Sequence, residues 1–517
     1  MVNSQKITKN VYKFIIKWRA FLPTLIFLVV LFFRLFYAFQ TPEFSEDSAY
    51  FVLYQMESIR ETGFPSLSIQ GSGDVSFFPP VFYYILSFFS LFLPSALVGK
   101  IIPNIFASLT VYIVYLLSMK FTRNQNASLF AAALSGFIPI FFLKTFNSIS
   151  IYSLVVPLVM FSFYSFLMIS TEEKFIFYYI ASILVLSFTH PAVFFVVLGQ
   201  IIYFTFVKIE GLQYKDVELE VIFVSVFLVI WSQFLIFKNA FLIYGPTIIW
   251  QNAPSQIFSE MFRAVTFVEA ISLIGFVPAL AGAYVFYQYV KDKKSKFIFF
   301  FLSYSIPIFV MLWLRLIIPT VGLIMISSAL VVVVSKYYIA FTSYIEKTKF
   351  SSLKNFIMIM IAIIVYSTSV VPTFALLWDE IDNAPNHDKV QILQWVNFNV
   401  DEDATILSSY EDGFLIRYYT RRNTVVDSNF LMVDNIDQVV EDIVTFYTTN
   451  SLIDALRIVE KYNVDYIFLS DRIVEKYGRS SIFDNQDCFI ELFTGRTQAN
   501  SLFEVVCSLV SSGDRYV

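Results

Sequence analysis

Histidine is almost missing from this chain: His190 and His387 are the only two in 517 residues. No His-rich metal centre can be built from them, and there is no CxxC pair to take their place. Cysteine is equally scarce. Cys488 and Cys507 both lie near the C-terminus, where a disulfide is allowed if that region is outside the cytoplasm, and two free thiols are just as compatible with the sequence. No small-residue cleavage site follows the first apolar run, so that run reads as an uncleaved span. Gly71-Ser72-Gly73 has neither the preceding strand nor the third glycine of a dinucleotide loop. No low-complexity segment or clear repeat is present. Residues 379–517 hold 24 acids against 11 bases, net −13, which leaves +9 for the rest of a chain of net charge −4. That balance excludes nucleic acid and anionic lipid surfaces as partners of the tail.

What is abundant is apolar surface. The chain is 57% hydrophobic and 19% aromatic, with a mean hydropathy of +0.68, against roughly 45–50% apolar residues in soluble domains. Stretches of about 20 apolar residues, the length that spans a bilayer, recur from Phe21 to Trp378. Beyond Asp379 the composition is that of a soluble domain. Three regions follow: a cytoplasmic N-terminus (1–20), a membrane domain (21–378) and a C-terminal domain (379–517). The many Phe and Tyr side chains read as lipid-facing or packing residues.

The positive-inside rule orients the chain. Lys6, Lys9, Lys13, Lys17 and Arg19 precede the first span, 21–39, and place its start in the cytoplasm. The clusters Lys291, Lys293, Lys294, Lys296 and Lys336, Lys347, Lys349, Lys354 are cytoplasmic by the same rule, so the last span, 355–378, exports the C-terminal domain. Intervening spans are expected at 101–119, 127–143, 149–170, 173–189, 192–208, 219–237, 264–289, 297–314 and 317–335, about eleven in all. A further crossing at 79–97 would break the parity. That stretch, which opens on Pro79-Pro80 and runs through Phe82, Tyr83, Tyr84, Phe88 and Phe89, is expected to lie along the outer interface. The external loop 40–78, the Lys144 loop, the His190-Pro191 turn, loop 239–262, the Arg315 turn and the C-terminal domain then share the outer side. The sequon Asn126-Ala127-Ser128 falls on the cytoplasmic side.

The first external loop reads Thr-Pro-Glu-Phe-Ser-Glu-Asp-Ser-Ala-Tyr over residues 41–50. It sets Glu46 and Asp47 directly beyond a membrane helix, with Ser45 as a candidate helix cap. Such acids can simply favour the dipole of the next helix. Alternatively, partial desolvation at the membrane surface can raise a carboxyl's pKa and fit it to take a proton from a hydroxyl. Together with Phe78-Pro79-Pro80-Val81-Phe82-Tyr83-Tyr84, this loop resembles that of the GT-C superfamily of membrane glycosyltransferases, including its protein mannosyltransferase and aminoarabinose transferase branches. The resemblance makes Asp47 the candidate catalytic acid, with Glu46 its neighbour. Thr189-His190-Pro191 resembles a turn of prokaryotic members, and a capped turn is its plain reading. Trp313-Leu314-Arg315-Leu316 resembles the membrane-edge arginine that contacts the donor phosphate, a role suited to a guanidinium. His190 and Lys144 are further phosphate candidates. Arg34 is a weaker one, free instead to snorkel to the interface.

The C-terminal domain reads as an α/β layer: a helix at 387–398, strands at 404–409 and 423–427, helices at 435–447 and 451–461, and a strand at 464–470. Its stretch Leu407-Ser408-Ser409-Tyr410-Glu411-Asp412-Gly413, followed by Tyr418 to Asp427, resembles the oligosaccharyltransferase catalytic subunit around its WWDYG acceptor motif. Tyr410, Glu411 and Asp412 become acceptor-binding candidates by that resemblance. Aligned on Gly413, however, the two tryptophans and the aspartate of the motif become Ser409, Tyr410 and Glu411, which puts sequon recognition in doubt. Loop 143–150 also lacks the second acidic motif of that family's metal site. No cofactor is therefore expected, and a divalent metal (Mg or Mn) stays open.

The chain is thus expected to be a polytopic α-helical membrane protein of GT-C type with an extracytoplasmic α/β domain. It would transfer a sugar from a polyprenyl- or dolichyl-phosphate carrier to a protein, lipid or glycan acceptor at the outer face of the bilayer, with inversion. Two other classes fit the sequence: a transporter or lipid-handling protein that uses the same cavity, and a non-catalytic scaffold of the same fold. Polar residues gathered at the outer edge rather than at midplane speak against a transporter.

Overall fold

The computed structural model describes residues 21–66, 79–291, 295–431, 433–495 and 500–509. The bases ahead of Phe21, residues 67–78 of the first external loop, and Lys293 and Lys294 lie outside them. Helix α1 (Phe21–Ala38) leads to helix α2 (Asp47–Thr62), the short α3 (Val81–Ser90) and the long α4 (Ser95–Thr122). Next come α5 (Gln125–Ser135), α6 (Pro139–Phe146), α7 (Tyr152–Ile169), α8 (Lys174–Ser187), α9 (Val193–Ile209) and α10 (Asp216–Tyr244). A single-turn segment, 245–250, precedes α11 (Ser255–Met261), α12 (Phe267–Ile274), α13 (Phe276–Lys291), α14 (Lys296–Trp313), α15 (Pro319–Glu346) and α16 (Lys354–Asp382).

Length sorts these helices by role. Among the described residues α1, α4, α7, α10, α14, α15 and α16 lie in the seven stretches long and apolar enough to cross a membrane, and the number reaches nine if the bent pairs α5–α6 and α12–α13 each count as one. α8 and α9 are shorter apolar helices of 14 and 17 residues. With 10 residues, α3 rises about 15 Å, half of the roughly 30 Å hydrocarbon core, so it is too short to cross. Residues 95–97, expected in the interfacial stretch, open α4 instead.

Two expected spans are not straight. Residues 127–143 bend by 48° between α5 and α6, and residues 264–289 turn through 104° between α12 and α13. The second corner sits on Gly275, whose φ of +99° is open to glycine and whose missing Cβ would lie 2.8 Å from Ser369 Oγ of α16. In the bundle α4 packs on α5 and α7, α9 on α14, and α13 and α14 on α15. Phe163, Phe300, Tyr304 and Val331 are buried there. Helix serines such as Ser162 and Ser303 donate back to carbonyls of their own helix, which satisfies them where water is absent.

The C-terminal domain continues with α17 (His387–Asn399), β1 (Thr405–Leu407), α18 (Gly413–Thr420), β2 (Asn423–Thr424), α19 (Ile436–Thr448) and α20 (Leu452–Lys461). It ends with β3 (Tyr466–Leu469), α21 (Asp471–Tyr477), β4 (Phe489–Thr494) and β5 (Ser501–Val505). The sheet runs β2-β1-β3-β5-β4, parallel where β1 meets β2 and β3, antiparallel at β3–β5 and β5–β4. Strand alternation gives it two apolar faces. Leu407, Ile467, Leu469 and Phe503 pack with α19 and α20, while Ile406, Phe468 and Leu502 join residues of α17, α18, α2 and α4 in another core. One face thus looks outward and the other is joined to the first external loop. The expected strand 423–427 pairs over only two residues, and α18 lies in a stretch for which no element was expected. Cys488 and Cys507 are disulfide-bonded and close the β4–β5 hairpin.

Candidate active site

The loop before Asp47 is held from below. Lys100, a buried cation near the start of α4, donates from Nζ to the carbonyls of Thr41 (3.1 Å) and Glu43 (2.7 Å) and to Asn147 Oδ1. Asn147 in turn donates to Ser45 Oγ (2.7 Å), and its carbonyl accepts the Ser45 N–H (3.1 Å). Ser45 therefore ties the loop to the α6–α7 connection instead of capping α2, whose N-cap is Glu46 without a side-chain cap bond. Glu43 accepts from Tyr50 (2.9 Å) and from Tyr419 of α18 (2.7 Å).

Asp47, the first residue of α2, points at the start of α18. Its Oδ1 accepts the Leu415 N–H at 2.8 Å and its Oδ2 the Phe414 N–H at 3.3 Å. Loss of solvent pushes its carboxyl well above the usual carboxylate range, the two N–H donors oppose this, and the charges of Asp412 and Asp427 add to the rise. The helices are joined further along. Arg421 pairs with Glu57, Tyr418 donates to Glu57 Oε1 (3.4 Å), and the guanidinium of Arg417 lies 5.0 Å from the Tyr54 ring centre.

The other candidates divide. Glu46 pairs with Lys144 at 3.1 Å, and Lys144 also binds Glu380 of α16 at 2.8 Å. Lys144 is thus clamped between two carboxylates, which a donor phosphate would have to displace. His190 Nδ1 accepts the Ala192 N–H at 3.0 Å, and Nε2 lies 3.3 Å from Tyr152 Oη. Burial lowers its pKa to about 4, so the ring is neutral, and with Nδ1 accepting, Nε2 carries the hydrogen toward Tyr152. Arg34 does not snorkel. It is fully buried, donates to Thr145 Oγ1 (2.8 Å) and lies over the rings of Phe141 and Phe142. Arg315 is exposed in a left-handed turn (φ +55°) between α14 and α15, with its carbonyl accepting from Trp250 Nε1 (3.2 Å). Its guanidinium forms no ion pair among the described residues.

The turn before α18 is shaped by Gly413. A Cβ there would sit 2.5 Å from the Val426 carbonyl and 2.6 Å from Asp427 Cα. Asp427 is buried and accepts the Asn429 N–H (2.8 Å), and burial pushes its carboxyl up to about 6. Of the three acceptor candidates, Tyr410 lines a cavity, Glu411 lies beside one of its lining residues, and Asp412 is buried. Tyr410 lines a cavity of about 370 Å³ with Ile257, Glu260, Tyr447, Lys476 and Tyr477, and Glu411 lies 3.7 Å from Lys476 Nζ at this cavity. Asp412, expected in the acceptor groove, is instead buried against Lys389 (2.7 Å). Burial alone would raise its carboxyl, but Lys389 and Arg472 hold it below the usual range. Helix α11 forms the other wall, and the residues that lead into it are tied to the C-terminal domain. Asn252 donates to the carbonyls of Phe430 (2.9 Å) and Val433 (3.0 Å), and the Ser255 N–H to Asp437 Oδ1 (2.6 Å).

A divalent ion would need carboxylate, histidine or cysteine ligands beside Asp47. Among the described residues no three His, Cys, Asp or Glu side chains converge, and each oxygen of Asp47 already faces an N–H donor. Lys100, Asn147, Glu43 and the N–H groups of α18 are the parts that sequence reasoning missed. Only Lys100 carried a signal, as a lone cation in an apolar helix.

Comparison with known proteins agrees with this architecture. Residues 283–514 match the family described as Dpy19: Q-cell neuroblast polarisation, and no curated protein matches the sequence. The oligosaccharyltransferase of Archaeoglobus fulgidus in complex with Zn and sulfate superposes with a TM-score of 0.63 at 13% identity, over 93% of this chain and 73% of that one. AglB from Archaeoglobus fulgidus, in complex with an inhibitory peptide and a dolichol-phosphate, gives 0.62 at 13% identity, over 93% and 74%. ArnT from Cupriavidus metallidurans bound to undecaprenyl phosphate gives 0.58 at 11% identity, over 95% and 98%. The chain has the fold of these polytopic GT-C membrane enzymes, C-terminal domain included.

Proposed function

We propose that this chain is a membrane glycosyltransferase. It takes a sugar from a polyprenyl- or dolichyl-phosphate carrier and transfers it to a protein, lipid or glycan acceptor at the outer face of the cell membrane. The observation that carries the reading is Asp47, a desolvated carboxylate directly beyond the first membrane helix, in a fold shared with transferases that hold dolichol-phosphate and undecaprenyl phosphate. Asp47 takes the proton from an acceptor hydroxyl as that oxygen bonds to the anomeric carbon. The bond from this carbon to the carrier's phosphate oxygen breaks on the opposite side, its electron pair stays with the phosphate, and the configuration inverts. Negative charge grows on the leaving phosphate, where Arg315 stabilises it. Tyr410 and Glu411, beside the 370 Å³ cavity, receive the acceptor. The buried Asp412 has no part in this. No step here is routed through a metal.

The Cys488–Cys507 disulfide supports an oxidising surrounding for the C-terminal domain, and with it a cytoplasmic N-terminus and an outward-facing site. The test is transfer of radiolabelled sugar from polyprenyl-phosphate donors by purified wild type and Asp47→Asn in detergent, with and without a chelator. Transfer that the substitution abolishes and the chelator leaves intact is the expected result. No transfer with any donor, from protein that is folded, would favour the scaffold reading, and full activity in the variant would remove Asp47 from the chemistry.

A further inference from the structure

Helix α18 starts with a residue of the type that normally caps helices, and that residue does not cap it. Asp412 occupies the N-cap position, yet makes no side-chain cap bond, because its Oδ1 is drawn to Lys389 at 2.7 Å and lies 4.0 Å from Arg472. The first N–H groups of a helix have no partner inside it. Those of Phe414 and Leu415 are left for a cap from elsewhere, and it comes from Asp47, 367 and 368 residues away in sequence. One N–H meets each carboxylate oxygen. This fixes both the direction and the rotation of the group, while each oxygen keeps a lone pair for a substrate proton.

We propose that the C-terminal domain positions the catalytic carboxylate: the N–H groups of Phe414 and Leu415 aim and hold Asp47 for proton abstraction. The inference rests on the reading of Asp47 as the base. It assigns α18 a positioning role, since its N–H groups touch the base and not the substrate. The contact does not stand alone, because Arg421–Glu57, Tyr418–Glu57 and Tyr419–Glu43 fasten the same two helices along their length, and Gly413 lets the turn close on Val426 and Asp427. The charged groups around Asp47 are Asp412, Asp427 and Arg417 from the C-terminal domain, the Arg421–Glu57 pair, Glu46 with Lys144, and Lys100 beside the backbone of Glu43. Against the like charges of Asp412 and Asp427, the positive N-terminal end of α18 favours the ionised form of Asp47.

The test removes one N–H without touching a side chain. In the full-length protein Leu415 is replaced by its α-hydroxy acid analogue, which exchanges the amide N–H for an ester oxygen. Leu415→Pro is the second variant, since proline is tolerated in the first turn of a helix, and Leu415→Ala is the control that keeps the N–H. The protonation midpoint of Asp47 is read from infrared carboxyl bands, as the difference between each protein and its Asp47→Asn counterpart, and beside it the pH profile of transfer. The proposal expects the midpoint and the acid limb of kcat/KM to rise together by roughly one pH unit in the ester and proline variants, with the midpoint in Leu415→Ala, which keeps the N–H, close to wild type. An unchanged midpoint in the ester variant overturns it, whatever the activity. A shifted midpoint in a wild-type background that transfers no sugar upholds the contact and overturns the reading of Asp47 as a base.

Discussion

Replacing Gly413 by alanine sets two effects of opposite sign against each other. The residue has φ −61° and ψ −46°, ordinary helical values, so conformational entropy alone favours alanine by about 0.5–1 kcal/mol. Against this, the new Cβ would lie 2.5 Å from the Val426 carbonyl oxygen, 2.6 Å from Asp427 Cα and 2.7 Å from Asp427 Cβ. Two of these are backbone atoms and cannot rotate away. Overpacking of this kind costs about 1–3 kcal/mol, so the expected net loss is about 1–2 kcal/mol. Thermal unfolding of the purified protein in detergent should show the transition of the C-terminal domain lowered by roughly 3–8 °C. Transfer should fall further than stability, because any shift of this turn carries the Phe414 and Leu415 N–H groups off Asp47. Gly478→Ala is the matched control: its φ of +78° costs about 1 kcal/mol of strain, but a Cβ there meets nothing within 4 Å, so it should lose stability without losing activity. A Gly413→Ala protein as stable as wild type, or more so, would refute the close approach on which the argument depends.

Asp427 gives a prediction in pH. Its carboxyl titrates near 6 in the folded protein and near 4 unfolded. Between those values the folded chain holds a proton the unfolded chain has lost, so this group's contribution falls as pH rises from about 4 to 6. Asp427→Asn, which keeps an oxygen for the Asn429 N–H, should remove that fall and add up to about 2–3 kcal/mol at pH 7, read as a higher melting temperature at pH 7 than at pH 4 relative to wild type. Lys389→Met leaves Asp412 charged and buried and should cost about 3–5 kcal/mol. The double variant with Asp412→Leu should recover most of that in the same melt, and a double variant no better than the single would show that the pair is not coupled. Replacing both Cys488 and Cys507 by serine should cost about 3 kcal/mol, given a loop of 19 residues, and in intact cells the wild-type cysteines should resist alkylation until a reductant is added.

How far the sequence was readable depended on the range of the interactions involved. Apolar runs report on lipid, and each expected span corresponds to a helix or helix pair. What they do not report is direction within the membrane: nothing in residues 264–289 distinguishes a straight helix from one that turns a corner at Gly275. In the C-terminal domain the helix at 387–399 and those near 436–448 and 452–461 were legible from their periodicity. Helix α18 was not, because Gly413 and the aromatic run after it read equally well as a turn into a strand. The hairpin β4–β5 went unseen because neither strand alternates: β4 is mostly exposed or half-buried after Phe489, and the first three residues of β5 are all buried. At the site, Asp47 and Tyr410 could be picked out by their local sequence. Their neighbours could not: Leu415 offers only a backbone N–H, and the diversion of Asp412 onto Lys389 depends on a residue 23 positions earlier in the chain.

The contacts that join the two halves fall on both flanks of the Gly413 turn. On one side α18 lies against α2 through Asp47, Glu57 and Glu43. On the other, Asn252 and Ser255 bind the segment around Phe430, Val433 and Asp437, while Trp250, just ahead of them, holds the Arg315 carbonyl. Arg315, the cavity at Tyr410 and Asp47 belong to different stretches of chain, but each is fastened to the C-terminal domain directly or through a few residues between Trp250 and Ser255. A displacement of that domain would therefore disturb the base, the cavity wall formed by Ile257 and Glu260, and the arginine turn together. Substitutions at Asn252, which touches neither Asp47 nor Arg315 in this structure, belong to the same mechanical unit as those at Leu415, because both act on how the domain is seated.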